Sequence, residues 1–167
     1  MSMIGSLLYL TSSRPSITFG VRVCARYQSE PKLSHITQVK RILKYINGTS
    51  EYGMLYSHNA NSLLTGYCDA DWPGSANDRK STYGGCFFLG NNLISWFSKK
   101  QNSVSLSIVE AEYITAGSSC SQLIWMKQML EEYNVQQDVM TLYCYNLSSI
   151  DISKNPIQHS RTKHIDI

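Results

Sequence analysis

The sequence predicts an α/β fold in which a mixed β-sheet is flanked by helices and preceded by a helical segment. Apolar residues recur at helical spacing as far as Gly48 and at strand-like spacing after Gly53. The elements from residue 63 onward are predicted in the order β-β-β-α-β-α, which is typical of a sheet covered by helices. The 167 residues are 43% hydrophobic and 16% charged, so the chain can bury a core and is not expected to be disordered.

The first two helices are predicted in the leading part of the chain. An apolar stripe over Met3–Leu10 indicates the first helix, which is expected to stop before Arg14-Pro15 because proline disfavours helix at the preceding residue. The second helix is expected to pass through Val21, Val23 and Ala25.

A third, cationic amphipathic helix is predicted from a cap at Ser34 to a stop at Asn47-Gly48. Its apolar stripe, expected in the core, is Ile36, Val39, Leu43 and Ile46, and its basic positions are Lys40, Arg41 and Lys44. The basic face is a candidate for contact with phosphate, and an ordinary solvated face is an equally good interpretation.

The remainder alternates strands and helices. Strands are predicted at Met54–Tyr56, Leu63–Cys68, Gly85–Leu89, Leu93–Ser98 and Thr141–Tyr145. The turn residues Gly90-Asn91-Asn92 predict a hairpin over Cys86–Phe97. Helices are predicted over Ser107–Tyr133 and Asn146–Lys154.

Charge and cysteine content indicate the kind of partner and the compartment. Residues 1–50 hold seven Lys and Arg against Glu30 alone, whereas residues 51–167 hold eight against eleven acids, which favours an anionic partner for the first part. The five cysteines form no C-x-x-C pair and are expected to be reduced thiols, mostly in the core. We expect an intracellular protein, cytoplasmic or nuclear, with no signal peptide, transmembrane segment or membrane partner.

Two pairs of acids are candidates for a metal site. Asp69 and Asp71 end a predicted strand, where both project to one face, and Glu110 and Glu112 begin a helix, where only one can easily join them. Glu112 is the better choice. Carboxylates from separate elements suit a hard divalent cation such as Mg²⁺. Each pattern alone is also typical of solvated or capping charges.

A set of motifs in one order identifies a family. They are Gly66-Tyr67-Cys68-Asp69-Ala70-Asp71-Trp72, Asp78-Arg79-Lys80-Ser81-Thr82-Tyr83-Gly84, Cys86-Phe87-Phe88-Leu89-Gly90, Ile94-Ser95-Trp96, Ser98-Lys99-Lys100-Gln101, Glu110-Ala111-Glu112-Tyr113 and Arg161-Thr162-Lys163-His164-Ile165. Together they resemble the ribonuclease H region of copia-type LTR retrotransposon polyproteins. Residues 1–53 look like the segment that connects reverse transcriptase to that region, and residues 54–167 resemble an incomplete ribonuclease H-like domain. A retroviral-type integrase shares the fold, but its acids would come in the order Asp, Asp, Glu. That alternative is not favoured, because Glu112 precedes the strand where the third acid is expected.

The resemblance implies a two-metal nuclease site that is damaged in this copy. Asp69 and Glu112 match the first two catalytic, metal-binding acids, and Mg²⁺ or Mn²⁺ is the implied cofactor. The third acid falls on Tyr145, whose phenol is a poor ligand for Mg²⁺. The chain is also expected to stop before the last strand and helix, which carry the fourth acid. We therefore expect an inactive copy of an enzyme.

The resemblance also implies the partners. The substrate would be an RNA–DNA hybrid, with Arg79, Lys80, Lys99 and Lys100 as candidate phosphate contacts, and a reverse transcriptase domain of the same polyprotein is a second possible partner. Trp72 and Trp96 are expected in the core. The alternative is a non-catalytic remnant of a retroelement polyprotein that binds nucleic acid or is structural.

Overall fold

The computed structural model describes residues 2–58, 61–72, 74–75 and 78–155. The chain divides into two compact units, Met1–Leu55 (unit 1) and Tyr56–Ile167 (unit 2). Among the described residues, no helix has the length and apolar character that crossing a bilayer requires. The motif Arg161–Ile165 and the predicted end of the domain lie outside the described residues.

Unit 1 is helical, as predicted. It comprises α1 (Met3–Leu10), a short 3₁₀ turn (Pro15–Ile17), α2 (Thr18–Arg26) and α3 (Leu33–Gly48). α1 begins where the Ser2 hydroxyl accepts a hydrogen bond from Gly5 N at 3.1 Å. The core of unit 1 consists of Leu7, Ile17, Val21, Cys24 and Val39.

The predicted stripe of α3 is only partly buried. The helix begins at Leu33, after a cap at Lys32, and not after a cap at Ser34. Val39 is buried and Ile42 and Ile46 pack against the core, whereas Ile36 and Leu43 are exposed. The expectation that these last two lie in the core is wrong, because the 100° step of a helix moves them to the edge of a narrow contact face.

Unit 2 is built on a four-stranded mixed sheet in the order β3-β2-β1-β4. Its strands are β1 (Leu64–Ala70), β2 (Thr82–Leu89), β3 (Asn92–Lys100) and β4 (Thr141–Cys144), and its helices are α4 (Ile108–Glu132) and α5 (Leu147–Lys154). β1 pairs antiparallel with β2 and parallel with β4, and β2 pairs antiparallel with β3. The predicted α/β class is confirmed: a mixed sheet flanked by helices, consistent with a ribonuclease H-like fold.

The core of unit 2 lies between β1, β2 and α4. Its buried residues are Leu64, Phe87, Leu123 and Met126. Gly66 allows this close approach, because a β-carbon there would lie 3.0 Å from Leu142 Cδ1 and 3.2 Å from Leu123 Cδ1. α4 therefore lies close to β1, and its first turns reach the end of that strand.

Two local predictions differ from the structure. Met54–Tyr56 is not a strand. The first residues of unit 2 are instead bonded to the start of β3 through side chains: Tyr56 Oη donates to Leu93 O at 2.9 Å, and Asn92 Oδ1 accepts from Ser57 N at 2.7 Å. Trp72 is 42% exposed and not a core residue. Its indole Nε1 donates to Ser105 O at 3.2 Å, which holds one edge of the ring while a face remains open.

Candidate active site

The ends of β1 and β4 bring two of the predicted site residues to the same level of the sheet. Cys68 and Cys144 are partners in the parallel register, so Asp69 and Tyr145 are the next residues along the two neighbouring strands. Asp69 is exposed and Tyr145 is 83% exposed. Tyr145, where the family resemblance implies a third acid, therefore follows β4 beside the aspartate of β1.

Glu112 reaches the same place from α4. The helix is capped by Ser107, whose hydroxyl accepts from Glu110 N at 3.2 Å. Glu112 is 5% exposed. Its Oε1 accepts from Ala70 N at 3.4 Å, and its Oε2 accepts from the Cys144 thiol at 3.7 Å. The second predicted acid thus lies between the ends of β1 and β4.

The two acids influence one another electrostatically. Burial raises the pKa of the Glu112 carboxyl above its ordinary value of 4.5, and the charge of Asp69 and a hydrogen bond with its carboxyl raise it further. The Ala70 N–H and the Cys144 thiol act in the opposite direction but do not cancel the rise. Asp69 and Glu112 therefore form an acid pair in which the buried member retains its proton more readily.

The buried thiol of Cys68 lies next to this acid pair. Burial, followed by the neighbouring Cys144 and Glu112, raises the pKa of Cys68 to about 12. Cys68 is consequently a neutral thiol at physiological pH and is not a nucleophile. Of the five free cysteines, Cys24 and Cys68 are buried, Cys86 and Cys144 are half-buried, and Cys120 is exposed.

The other two acids have local structural roles. Asp71 Oδ1 accepts a hydrogen bond from Thr82 N, and Asp71 N donates to Thr82 O at 2.9 Å, so this residue extends the pairing of β1 with β2. Glu110 Oε2 accepts from Leu106 N at 2.7 Å at the start of α4. These hydrogen bonds direct neither the Asp71 carboxylate nor the Glu110 carboxylate toward Asp69 and Glu112.

The predicted cations lie at the same end of the sheet. Ala70 is paired with Tyr83, which is paired with Lys99, so the end of β3 is two strands from the end of β1. Lys100 forms an ion pair with Asp78, and Lys99 Nζ lies 5.6 Å from the centre of the Phe97 ring. Lys80 precedes β2, and Arg79 has a left-handed backbone with φ of 57°. Arg79 and Lys99 are exposed.

The donor atoms do not make up a two-metal centre. Within the described ranges, no group of three or more His, Cys, Asp or Glu side chains has the geometry to hold a metal ion. The oxygen donors at the site are the carboxylates of Asp69 and Glu112, and the neighbouring phenol and thiol are poor partners for a hard cation. The described residues at this site suit, at most, one weakly held divalent ion.

A buried glutamine at the site was not singled out from the sequence. Gln101 is 2% exposed, and its Nε2 donates to Ala111 O at 2.9 Å and to Thr115 Oγ1 at 3.3 Å. Its Oε1 accepts from Ser105 Oγ at 2.6 Å. A polar residue directly after β3 gives no periodic signal, so only the packing reveals that it joins the sheet to the helix turn next to Glu112.

Comparison with known proteins relates the whole chain to polyproteins of mobile elements. The retrovirus-related Pol polyprotein from transposon TNT 1-94 of Nicotiana tabacum is 41% identical over 167 residues, which is 99% of this chain and 12% of that polyprotein. The corresponding polyprotein from transposon RE2 of Arabidopsis thaliana is 37% identical over 164 residues, 98% of this chain and 11% of that polyprotein. The chain therefore spans about one ninth of the length of these relatives.

Similarity extends to a shorter relative. Secreted RxLR effector protein 161 of Plasmopara viticola is 35% identical over 127 residues, which is 75% of this chain and 89% of that protein. No family model matches the chain, and no solved structure matches it. Identity of 37–41% extends over nearly every residue of the chain, so the chain is homologous to one region of copia-type retrotransposon Pol polyproteins.

Proposed function

We propose that residues 54–167 are a ribonuclease H-like domain of a copia-type Pol polyprotein and that residues 1–53 correspond to the reverse transcriptase connection. The ancestral reaction is hydrolysis of the RNA strand of an RNA–DNA hybrid by two-metal catalysis. The observation that carries the proposal is the meeting of Asp69, from the end of β1, with Glu112, from the first turns of α4. Paired acids from a strand and a helix are the arrangement that the family resemblance implies.

We further propose that this copy does not catalyse the reaction. Mg²⁺ or Mn²⁺ would supply activation of water and stabilisation of the leaving oxygen, which requires a nearly complete set of oxygen ligands. Tyr145 follows β4 where the family resemblance expects an acid. Two carboxylates, one of them with a raised pKa, are an insufficient set.

Binding of the hybrid is a separate property that this copy can retain. Arg79, Lys80 and Lys99 lie at the end of the sheet that carries the acid pair, and a cation at that position can contact phosphates without any metal. A non-catalytic module that binds a hybrid, or associates with a reverse transcriptase domain, is therefore the second candidate function. Such a module would bind the hybrid without cleaving it even after an acid is introduced at position 145, whereas the damaged enzyme would regain cleavage.

The decisive experiment repairs the third position. Tyr145 is 83% exposed, so Tyr145→Asp can be made without disturbing the core, and Tyr145→Asn is the matched control because it differs only in charge. We expect Tyr145→Asp to bind Mn²⁺ at least about tenfold more tightly than Tyr145→Asn, since affinity for hard cations follows the number of charged ligands. Calorimetry measures the affinity, and cleavage of a labelled RNA–DNA hybrid measures the reaction.

The outcomes separate the two candidates. Cleavage by the unmodified chain that disappears in Asp69→Asn would show that this copy is active. Cleavage gained only by Tyr145→Asp supports the damaged enzyme. Equal Mn²⁺ affinity of folded Tyr145→Asp and Tyr145→Asn would show that position 145 is not the third ligand, and the ribonuclease H proposal would then fail.

A further inference from the structure

One face of α3 carries positive charge that has no local counterpart. We define the α3 cationic face as Lys40, Arg41 and Lys44, all of which are exposed. No Asp or Glu occurs anywhere between Leu33 and Gly48. An ordinary solvated helix face carries both signs of charge, because opposite charges three or four residues apart stabilise the helix.

The position of this face follows from the packing of the helix. Val39 is buried, and Ile42 and Ile46 pack on the core of unit 1. At 100° per residue, Lys40 and Lys44 lie roughly opposite these three side chains, one turn apart. The two ammonium groups therefore repel each other, and within the described residues no ion pair neutralises any of the three cations.

The surrounding unit has the same sign of charge. Residues 1–55 contain seven Lys and Arg against Glu30 and Glu51, which gives unit 1 a net charge of +5. The field of the unit thus adds to that of the helix. Lys40 and Lys44 repel each other, α3 contains no acid and unit 1 is cationic. Together these features make the α3 cationic face complementary to a polyanion.

We propose that the α3 cationic face binds the phosphate backbone of a nucleic acid duplex, without reading its sequence. Unit 1 thereby supplies a contact of its own, independent of the chemistry proposed for unit 2. A membrane surface is disfavoured as the occupant, because Val39, Ile42 and Ile46 pack on the core of unit 1. Of the apolar stripe of α3, Ile36 and Leu43 alone are left exposed for insertion into a bilayer. The exposed side chains around the cations include the polar Thr37 and Asn47.

The first test uses the full chain and a fluorescently labelled RNA–DNA hybrid of about 20 base pairs, with binding measured by anisotropy over a series of salt concentrations. We expect Lys40→Gln/Lys44→Gln to weaken binding on the order of tenfold and to reduce the slope of log K against log salt by about 2. The matched control is Lys127→Gln/Lys154→Gln, which removes the same charge from α4 and α5 and is expected to bind like the wild type.

A second variant distinguishes lost binding from lost folding. Thr37→Glu keeps every cation but places an acid four residues before Arg41 and three before Lys40, which stabilises the helix. Its thermal stability should rise while its affinity for the hybrid falls, and a folding defect cannot produce that combination. Circular dichroism and thermal melts check the fold of each variant.

Three results would overturn the proposal. They are wild-type affinity and salt slope in Lys40→Gln/Lys44→Gln, an equal loss in the control pair, and binding of the wild type to anionic phospholipid vesicles but not to the hybrid. Arg79→Gln/Lys99→Gln tests the hybrid contact proposed for unit 2 in the same assay. Loss in that variant alone would refute the α3 face and leave the proposed function intact. Loss in the α3 variant alone would support the α3 face and refute the hybrid contact proposed for Arg79 and Lys99.

Discussion

Asp69 and Asp71 are two positions apart in the chain, and their carboxylates have different roles. Both are acids near the end of β1, and both were predicted to project to one face. Asp71 accepts the Thr82 N–H and so completes the pairing of two strands, whereas Asp69 interacts with Glu112. The chemistry of the side chain is identical, and the neighbouring backbone decides which one remains available to a ligand.

Gly74, in the β1–β2 connection, has a backbone conformation and surroundings that disfavour substitution. Its φ is +78°, and a β-carbon there would clash with Lys80 O, which is a backbone atom and not the end of a flexible side chain. Gly74→Ala is therefore expected to lower the free energy of unfolding by about 1–3 kcal/mol, as measured by urea denaturation. Gly117→Ala in α4 is the control, because no atom lies within 4 Å of its added carbon and it should instead stabilise the protein by about 0.5–1 kcal/mol. Equal effects of the two substitutions would contradict this explanation.

At the scale of elements, the site depends on how α4 is attached to the sheet. Gln101 follows β3 and donates to Ala111 O, immediately before Glu112 in the chain. Ser105 donates to Gln101 Oε1 and accepts, through its carbonyl, from the Trp72 indole. A continuous set of hydrogen bonds therefore runs from the end of β1 to the helix turn that carries the second acid.

Gln101→Leu should break this attachment. The substitution keeps the approximate volume but leaves the buried Ser105 hydroxyl without its acceptor, which we expect to cost about 1–3 kcal/mol in the free energy of unfolding. Chemical denaturation measures the loss, and Lys99→Gln on the same strand is the exposed control, with an expected change within about 0.5 kcal/mol. If the Gln101 variant were as stable as the Lys99 variant, the network would not be holding α4.

At the scale of the whole molecule, the acid pair makes stability depend on pH. The folded pKa of Glu112 is raised above 4.5. At pH values between the unfolded and the folded pKa, the folded state therefore holds a proton that the unfolded state has already released. The stabilising contribution is fully present below the unfolded pKa and is lost as the pH rises through the folded pKa. At neutral pH the ionised carboxylate of Glu112 beside Asp69 therefore lowers the free energy of unfolding.

Glu112→Gln should remove this dependence, because glutamine resembles the protonated carboxyl. The variant is expected to match the wild type at pH 4 and to be more stable at pH 8, with the difference growing between these limits, as measured by urea denaturation at several pH values. A wild type whose stability relative to the variant increases with pH would show that the pKa of Glu112 is lowered and not raised.

Much of the fold could be predicted because its signals are local. The helical period of α1 to α3, the turn at Gly90-Asn91-Asn92 and the long helix carrying Glu112 all depend on residues close together in the chain. The predictions that failed include a strand at Met54–Tyr56 and core positions for Ile36, Leu43 and Trp72, and these concern the partners of a segment. The residues that contact a segment lie in distant parts of the chain, so the local sequence pattern of the segment does not predict them.

The sequence by itself determined the types and order of the helices and strands that the structure contains, the resemblance to copia-type Pol polyproteins, and the identity of the residue at position 145. Each of these depends on which side chains occur and at what spacing. The tertiary structure alone decided that Glu112 meets Asp69, that Asp71 and Glu110 have other hydrogen-bond partners, and that Gln101 joins β3 to α4. The physical reason is that strand register and helix packing are set by contacts between residues far apart in the chain, where a shift of one residue directs a side chain to the opposite face.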